Sequence, residues 1–235
     1  MTGTPLLDLS WKNYRSPMSD IDFTFGIITV YEDKQRLDEI INSIRSLGIP
    51  SFEILIVGGG DSSGIDGPDI VKIDFDESVK PRWITRKKNI LIQNAKYENI
   101  VLMHDYHLFD EKWYEEFKSF GTDWDICSCP QYLINGDRNP MDWSLWDKPG
   151  HGRAWSLAYN DWTQTQYMYI SGGFFIVKKH VMIEEPLDES RGWNEEEDVE
   201  WSMRVRNKYV MKCNGKSIVR HNKWHRHAGP NPNEK

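Results

Sequence analysis

Residues 100–107 read Ile100-Val101-Leu102-Met103-His104-Asp105-Tyr106-His107, an apolar strand that runs straight into polar side chains where it meets solvent. Alternate residues of an extended strand point to the same side. On that geometry Asp105 and His107 address one point beyond the strand end, with an oxygen and a nitrogen donor that suit Mn²⁺ or Mg²⁺. A turn or a hydrogen-bonded surface pair explains the same tripeptide taken alone, so its meaning depends on the segments around it.

Upstream, the chain alternates strand and helix. Phe23 to Val30 is a β-branched and aromatic run closed by Tyr31, Glu32 and Asp33, which predicts a first strand. Leu37, Ile40, Ile41, Ile44 and Leu47 follow at helical spacing, with Gly48 and Pro50 as stop signals. Strands are expected at Glu53–Val57, Ile70–Phe75 and Ile100–Met103, and a helix from about Thr85 to Ala95. This pattern predicts a single α/β domain, an open and mostly parallel sheet flanked by helices, with ligands at the carboxyl ends of its strands. Thr29, Tyr31 and Glu32 stand at the first such end. The stretch Gly58 to Gly64, which includes Gly59 and Asp61, follows the second. Glycines there let a phosphate or base approach the backbone, although neither a Walker lysine nor GxGxxG is present. In the basic run Arg86 to Asn89, Lys88 is a candidate for a diphosphate contact, with a solvated helix face as the other explanation.

Downstream, residues 192–206 read as a helix with an acidic entry, Glu195, Glu196, Glu197 and Asp198. Asn194 and Glu197 fit a capping box, and first-turn carboxylates suit the helix dipole. Capping needs only one or two acids; crowding four raises the expected pKa of at least one, as a general base requires. Residues 217–227 form a short apolar strand leading into His221, His225 and His227. One of these histidines completes the metal shell in this reading; His225 and His227 also fit a solvated basic tail. Between these parts, residues 130–166 have little periodicity but hold Trp143, Trp146, Trp155, Trp162, Tyr132 and Tyr159. About half of these rings are expected to be buried. The remainder would form an acceptor platform, and long excursions of this kind are usually functional; Trp143, Trp155 and, from the acidic segment, Trp193 are the candidates.

At 235 residues the chain suits one well-packed domain, divided here into a leader at 1–20, a ligand-binding half at 21–107 and a metal-completing half at 108–235. A net charge of −7 argues against nucleic acid or an anionic membrane as partner. The longest apolar stretch falls short of the roughly 20 residues of a membrane span, and no secretory signal pattern opens the sequence. Leu6, Leu7, Leu9 and Trp11 are the apolar residues of the leader. Cys127, Cys129 and Cys213 are odd in number and sit in strand-like contexts, which suits reduced core thiols of a cytoplasmic protein.

The order of these segments resembles the GT-A glycosyltransferases, especially family 2-like enzymes, β-1,4-galactosyltransferases and polypeptide N-acetylgalactosaminyltransferases. Asp105-Tyr106-His107 is similar to the DxD motif in its DxH form. Tyr169 to Phe175, with Gly172 and Gly173, resembles the glycine pair before the acceptor pocket. Trp193 to Arg204 resembles the WGGED or WGGEN segment, and Ile218 to His221 the strand whose histidine binds metal. One departure stands out: Gly58 and Gly59 occupy the place of an aspartate pair. The resemblance implies metal-dependent transfer of a sugar from a nucleotide-sugar, a UDP-sugar by preference, to a hydroxyl on a glycan. It implies Asp105, His107 and His221 as ligands of Mn²⁺ or Mg²⁺, and Asp198 as base with Glu197 second. The donor would lie among Thr29, Tyr31, Glu32, Gly59, Asp61, Lys88, Asp105, Gly172 and Gly173. The DxH form resembles a retaining family and the acidic pair inverting ones, with the balance toward inversion. A sugar nucleotidyltransferase should carry a Gly-rich, basic loop where Thr29-Val30-Tyr31-Glu32 stands. A carbohydrate-binding module would explain the tryptophans without Glu197, Asp198 or a metal.

Overall fold

Every residue from Phe23 to Thr29 is buried, so this strand must have neighbours on both edges and layers on both faces. The computed structural model, which describes residues 19–151 and 154–224, supplies them. The strands of the main sheet are β1 (Phe23–Thr29), β2 (Phe52–Gly58), β3 (Ile70–Asp74), β4 (Asn99–His104), β6 (Ile126–Ser128), β11 (Phe174–Lys178) and β12 (Met211–Cys213). Short strands β5 (His107–Phe109), β7 (Gln131–Tyr132), β8 (Ser144–Trp146), β9 (Ala154–Ser156), β10 (Met168–Tyr169) and β13 (Val219–His221) build two three-stranded sheets beside it. The helices are α1 (Lys34–Arg45), α2 (Ile84–Asn94), α3 (Trp113–Phe120), α4 (Lys179–Glu184) and α5 (Glu197–Val205).

The main sheet runs β12-β6-β11-β4-β1-β2-β3. The expected α/β alternation is present, with β1 to β4 mutually parallel, and β11 is the antiparallel member between β4 and β6. Alternation along β1 sends Phe23, Phe25 and Ile27 to one face, against Leu37, Ile40, Ile41 and Ile44 of α1 and the α3 rings Trp113 and Phe117. Ile28, Leu55 and Leu102 serve the other face with Leu91 and Ile92 of α2 and Trp201 of α5. Asp33 caps α1 by accepting from the Arg36 amide, and Gly48, at φ +67°, follows its end. Cys127, Cys129 and Cys213 are free and buried; burial pushes the Cys127 thiol up to about 12. Among the described residues no helix is long and apolar enough to cross a membrane.

Three local expectations fail for identifiable reasons. The strand before Asp105 does not continue to His107: β4 stops at His104, the Tyr106 amide donates back to the His104 carbonyl, and a new strand starts at His107. Period-two alternation therefore does not relate Asp105 to His107. The capping box is absent, because Asn194 and Glu196 adopt left-handed backbone at φ 64° and 56° and no side chain caps α5. Residues 130–166 are more ordered than their pattern suggests, but their strands are only two or three residues long, too short to leave a periodic signature. Leu6, Leu7, Leu9, Trp11, His225 and His227 lie outside the described residues.

Candidate active site

Parallel strands β1 and β4 end side by side, and their ends are tied by Thr29 Oγ1 donating to Asp105 Oδ2 at 2.6 Å. The Tyr31 amide donates to the same Thr29 hydroxyl, which holds Tyr31 in left-handed backbone at φ 55°. Burial, with Asp74 nearby, pushes the Tyr31 phenol up to about 12. The Thr29 carbonyl accepts from the buried Lys87 ammonium at 3.1 Å, and Lys87 is also ion-paired with Glu77. Glu77 in turn accepts from the Gly59 amide. A Cβ on Gly58 would stand 2.8 Å from the Thr29 carbonyl oxygen, and one on Gly59 would strike Glu77 and the Phe75 carbonyl. Glu77 and the Phe75 carbonyl thus fill the space a side chain at Gly59 would need, and Thr29 and Tyr31 fill it at Gly58. Glu32 is exposed. Asp61 is also exposed and is bound by Lys34 at 2.6 Å, which with Ser63 holds its carboxyl well below the usual range.

The basic run on α2 is neither solvated nor free for a diphosphate. Arg86 and Asn89 both bond Glu189, Asn89 also bonds the Leu187 backbone, and Thr85 donates to the Arg191 carbonyl. These contacts pin residues 187–191 against the helix, just before Trp193 and the acidic segment. Lys88 is 1% exposed and its ammonium donates to the Gly172 carbonyl at 2.7 Å. It acts on the site through Gly172 and the acids, which corrects its assignment as a direct donor contact.

Around Gly172 the two halves of the chain meet. A Cβ there would lie 3.1 Å from Glu197 Oε1 and 3.2 Å from Lys88 Nζ, so a side chain at 172 would have to push these groups aside. Asp198 Oδ2 accepts from the Tyr169 hydroxyl and the Gly172 amide, and Oδ1 from the Val199 amide. Glu197 is 8% exposed; burial raises its pKa, and the Lys88 charge only partly offsets this. Burial lowers the pKa of Lys88, with Glu197 and Asp198 opposing the shift. Two members of the acidic entry therefore differ: Asp198 accepts three hydrogen bonds, whereas Glu197 is desolvated and its pKa is raised.

Both carboxylates line a cavity of about 620 Å³. His104, Tyr106 and His221 lie on its β4 side, with Ser171, Gly172 and Gly173 from the turn before β11. Trp193 lines it and packs on His104 with ring centroids 5.7 Å apart. The other two acceptor candidates are not there. Trp143 is 0% exposed, its indole donating to the Asp161 carbonyl, and it belongs to the core. Trp155 is exposed on β9 against His151 and does not line the cavity. Gln131, Asn139, Met141, Trp146, Tyr169 and Trp224 take that place. Trp146 carried the same aromatic signal as its neighbours; Gln131 and Asn139 carried none.

His107 and His221 are paired directly across β5 and β13, with ring centroids 4.7 Å apart. His107 is buried beneath Tyr106 and beside Phe174. Among the described residues no group of three or more His, Cys, Asp and Glu side chains is disposed to hold a metal ion. Asp105, His107 and His221 are therefore not a ready-made three-ligand cage, because the turn at Asp105 sends its carboxylate toward Thr29. As a donor set, one carboxylate and two imidazoles suit a divalent ion such as Mn²⁺.

No family model and no curated protein sequence matches this chain. Solved structures do. Staphylococcus aureus TarS residues 1–349 in complex with UDP-GlcNAc superposes with a TM-score of 0.63 at 10% identity, over 90% of this chain and 62% of that one. The crystal structure of S. aureus TarS gives 0.63 at 12% identity, over 86% and 36%. GalNAc-T7 with UDP, GalNAc and Mn²⁺ gives 0.63 at 14%, over 91% and 45%. This chain thus spans less than two thirds of each. These structures are GT-A glycosyltransferases, and the chain has the GT-A fold.

Two substitutions test this geometry. Lys88→Met leaves two carboxylates without their buried cation and should cost about 3 kcal/mol in urea unfolding; an unchanged midpoint would show that the ammonium is not a brace. Gly59→Ala should destabilise by about 1–3 kcal/mol through overpacking against Glu77 and the Phe75 carbonyl; an unchanged urea midpoint would contradict that close approach.

Proposed function

We propose that this protein is a glycosyltransferase that moves a sugar from a nucleotide-sugar, with UDP as the favoured nucleotide, to an acceptor hydroxyl. The observation behind this reading is the convergence at Gly172. It sets a desolvated glutamate in a large cavity at the carboxyl end of a GT-A sheet, where open α/β folds bind their ligands. That TarS binds UDP-GlcNAc and GalNAc-T7 binds UDP with Mn²⁺ supports the choice of donor.

In this proposal the donor's nucleoside lies against Thr29, Tyr31, Glu32 and Gly59, and the sugar reaches toward Gly172 and Gly173. Asp105, His107 and His221 would hold Mn²⁺ or Mg²⁺, which would supply charge neutralisation for a departing diphosphate. Glu197 accepts the acceptor hydroxyl's proton. Sequence alone puts Asp198 first, but its oxygens already accept from Tyr169, Gly172 and Val199. Asp198 instead fixes the Gly172 turn and orients Tyr169. A base on the acceptor hydroxyl suits inversion at the anomeric carbon.

The test is UDP release from a panel of UDP-hexoses and UDP-N-acetylhexosamines with Mn²⁺ and a saccharide acceptor. Glu197→Gln should lower kcat by roughly 10²–10⁴-fold while UDP affinity stays within twofold, and EDTA should abolish turnover. Full activity in Glu197→Gln would move the base elsewhere, and no turnover of any UDP-sugar would remove the reading. The pH profile supplies a separate check. The base works ionised, and burial raises its pKa, so kcat/KM should fall as pH drops through a value above that of an exposed glutamate. An acidic limb at or below the ordinary glutamate range would contradict Glu197 as base.

A further inference from the structure

Thr29 is the last residue of β1, one position past its pairing with β4, and it is 5% exposed. Its hydroxyl is engaged in both senses. The Tyr31 amide donates to Oγ1 at 3.0 Å, and the single hydroxyl proton goes to Asp105 Oδ2 at 2.6 Å, a length typical of a hydroxyl bonded to a carboxylate. The Thr29 carbonyl accepts from Lys87, which is 3% exposed and ion-paired with Glu77. The methyl group is walled in as well, since a Cβ on Gly58 would stand 2.8 Å from Thr29 Cγ2. Held by its hydroxyl on one side and its methyl on the other, the side chain has one setting, and the bond to Asp105 is built into the fold.

Asp105 is fixed from its own side too. It follows the last residue of β4, and the Tyr106 amide donates back to the His104 carbonyl, so the backbone that carries the carboxylate is closed into a turn. Asp105 is half-buried, with Oδ2 committed to Thr29; among the described residues Oδ1 accepts no hydrogen bond. One oxygen of a firmly held carboxylate is thus spent and the other is open.

We infer that Thr29 is a positioning residue for Asp105: it takes up Oδ2 and so presents Oδ1 alone to the divalent ion. Carboxylates that bind metal are themselves held by outer hydrogen bonds, and losing one weakens the binding of the ion. This deepens the reading of the site given above and rests on the metal role of Asp105 in it. Thr29 then serves the nucleotide end of the site through Asp105 rather than by a polar contact of its own, with Lys87 and Glu77 bracing it from behind.

In the experiment Mn²⁺ is titrated into the protein, alone and with UDP, following the loss of the free-ion EPR signal, and UDP is titrated calorimetrically at saturating Mn²⁺. Thr29→Val keeps the shape of the side chain and removes the hydroxyl. Thr29→Ala, which buries no methyl between the Tyr31 amide and Asp105, stands in where the first variant does not fold. Either should raise the half-saturating Mn²⁺ concentration by about 10–100-fold, with Thr29→Ser within about threefold of wild type and UDP affinity at saturating Mn²⁺ also within about threefold. An unchanged Mn²⁺ midpoint in a folded variant overturns the inference. So does a lower one, which would mean that Thr29 parks Asp105 away from the ion, and so does a loss of UDP affinity with the Mn²⁺ midpoint unmoved, the mark of a nucleoside contact. Mn²⁺ bound by no form of the protein, with or without UDP, overturns it too. Failure of the transfer reading shows separately: Mn²⁺ binds the wild type and responds to Thr29→Val, while UDP does not bind.

Discussion

A single ammonium group buried in the middle of the molecule organises the site. Lys88 reaches from α2 to the Gly172 carbonyl with Glu197 and Asp198 alongside. Leaving any one of these charges buried without the others is costly, so helix, turn and acidic entry must come together as a unit. The rest of α2 reinforces the arrangement, with Arg86 and Asn89 gripping Glu189 and Thr85 gripping Arg191. A run of sequence that looks like a basic surface is in fact the clamp that positions the acidic loop.

The placement of β11 follows from the same constraint. It enters antiparallel between β4 and β6, so that the Gly172-Gly173 turn arrives beside the end of β4, and the Gly173 carbonyl accepts from the His104 amide. His104 at the end of β4 and residues of the 130–170 excursion therefore face one cavity. The GT-A sheet is the frame, and within it one carboxylate accepts three hydrogen bonds while its neighbour is left desolvated.

Much of the frame was legible in the sequence because it rests on local periodicity. The spacing of Leu37, Ile40, Ile41 and Ile44 identifies α1, and the β-branched runs at 23–30, 53–57 and 100–103 identify three central strands to within a residue or two. The acidic pair and Gly172 were legible as motifs. What could not be read depends on tertiary contacts or on one-residue changes of backbone. The turn at Asp105-Tyr106 defeats alternation, and left-handed Glu196 defeats the capping box. The Lys88 bond to Gly172 spans 84 residues. Nothing in composition distinguishes buried Trp143 from cavity-lining Trp146, three positions along. Glu77, which leaves no room for a side chain at Gly59, carries no motif at all.

The proposed function requires that the joined ends of β1 and β4 receive a nucleoside diphosphate in a metal-dependent manner that needs Asp105. Calorimetric titration of UDP with and without Mn²⁺, on the wild type and on a folded Asp105→Ala variant, tests it most directly. The account predicts binding that requires the metal and disappears in the variant. UDP binding that is indifferent to both Mn²⁺ and Asp105, or absent from the wild type under every condition, would contradict it.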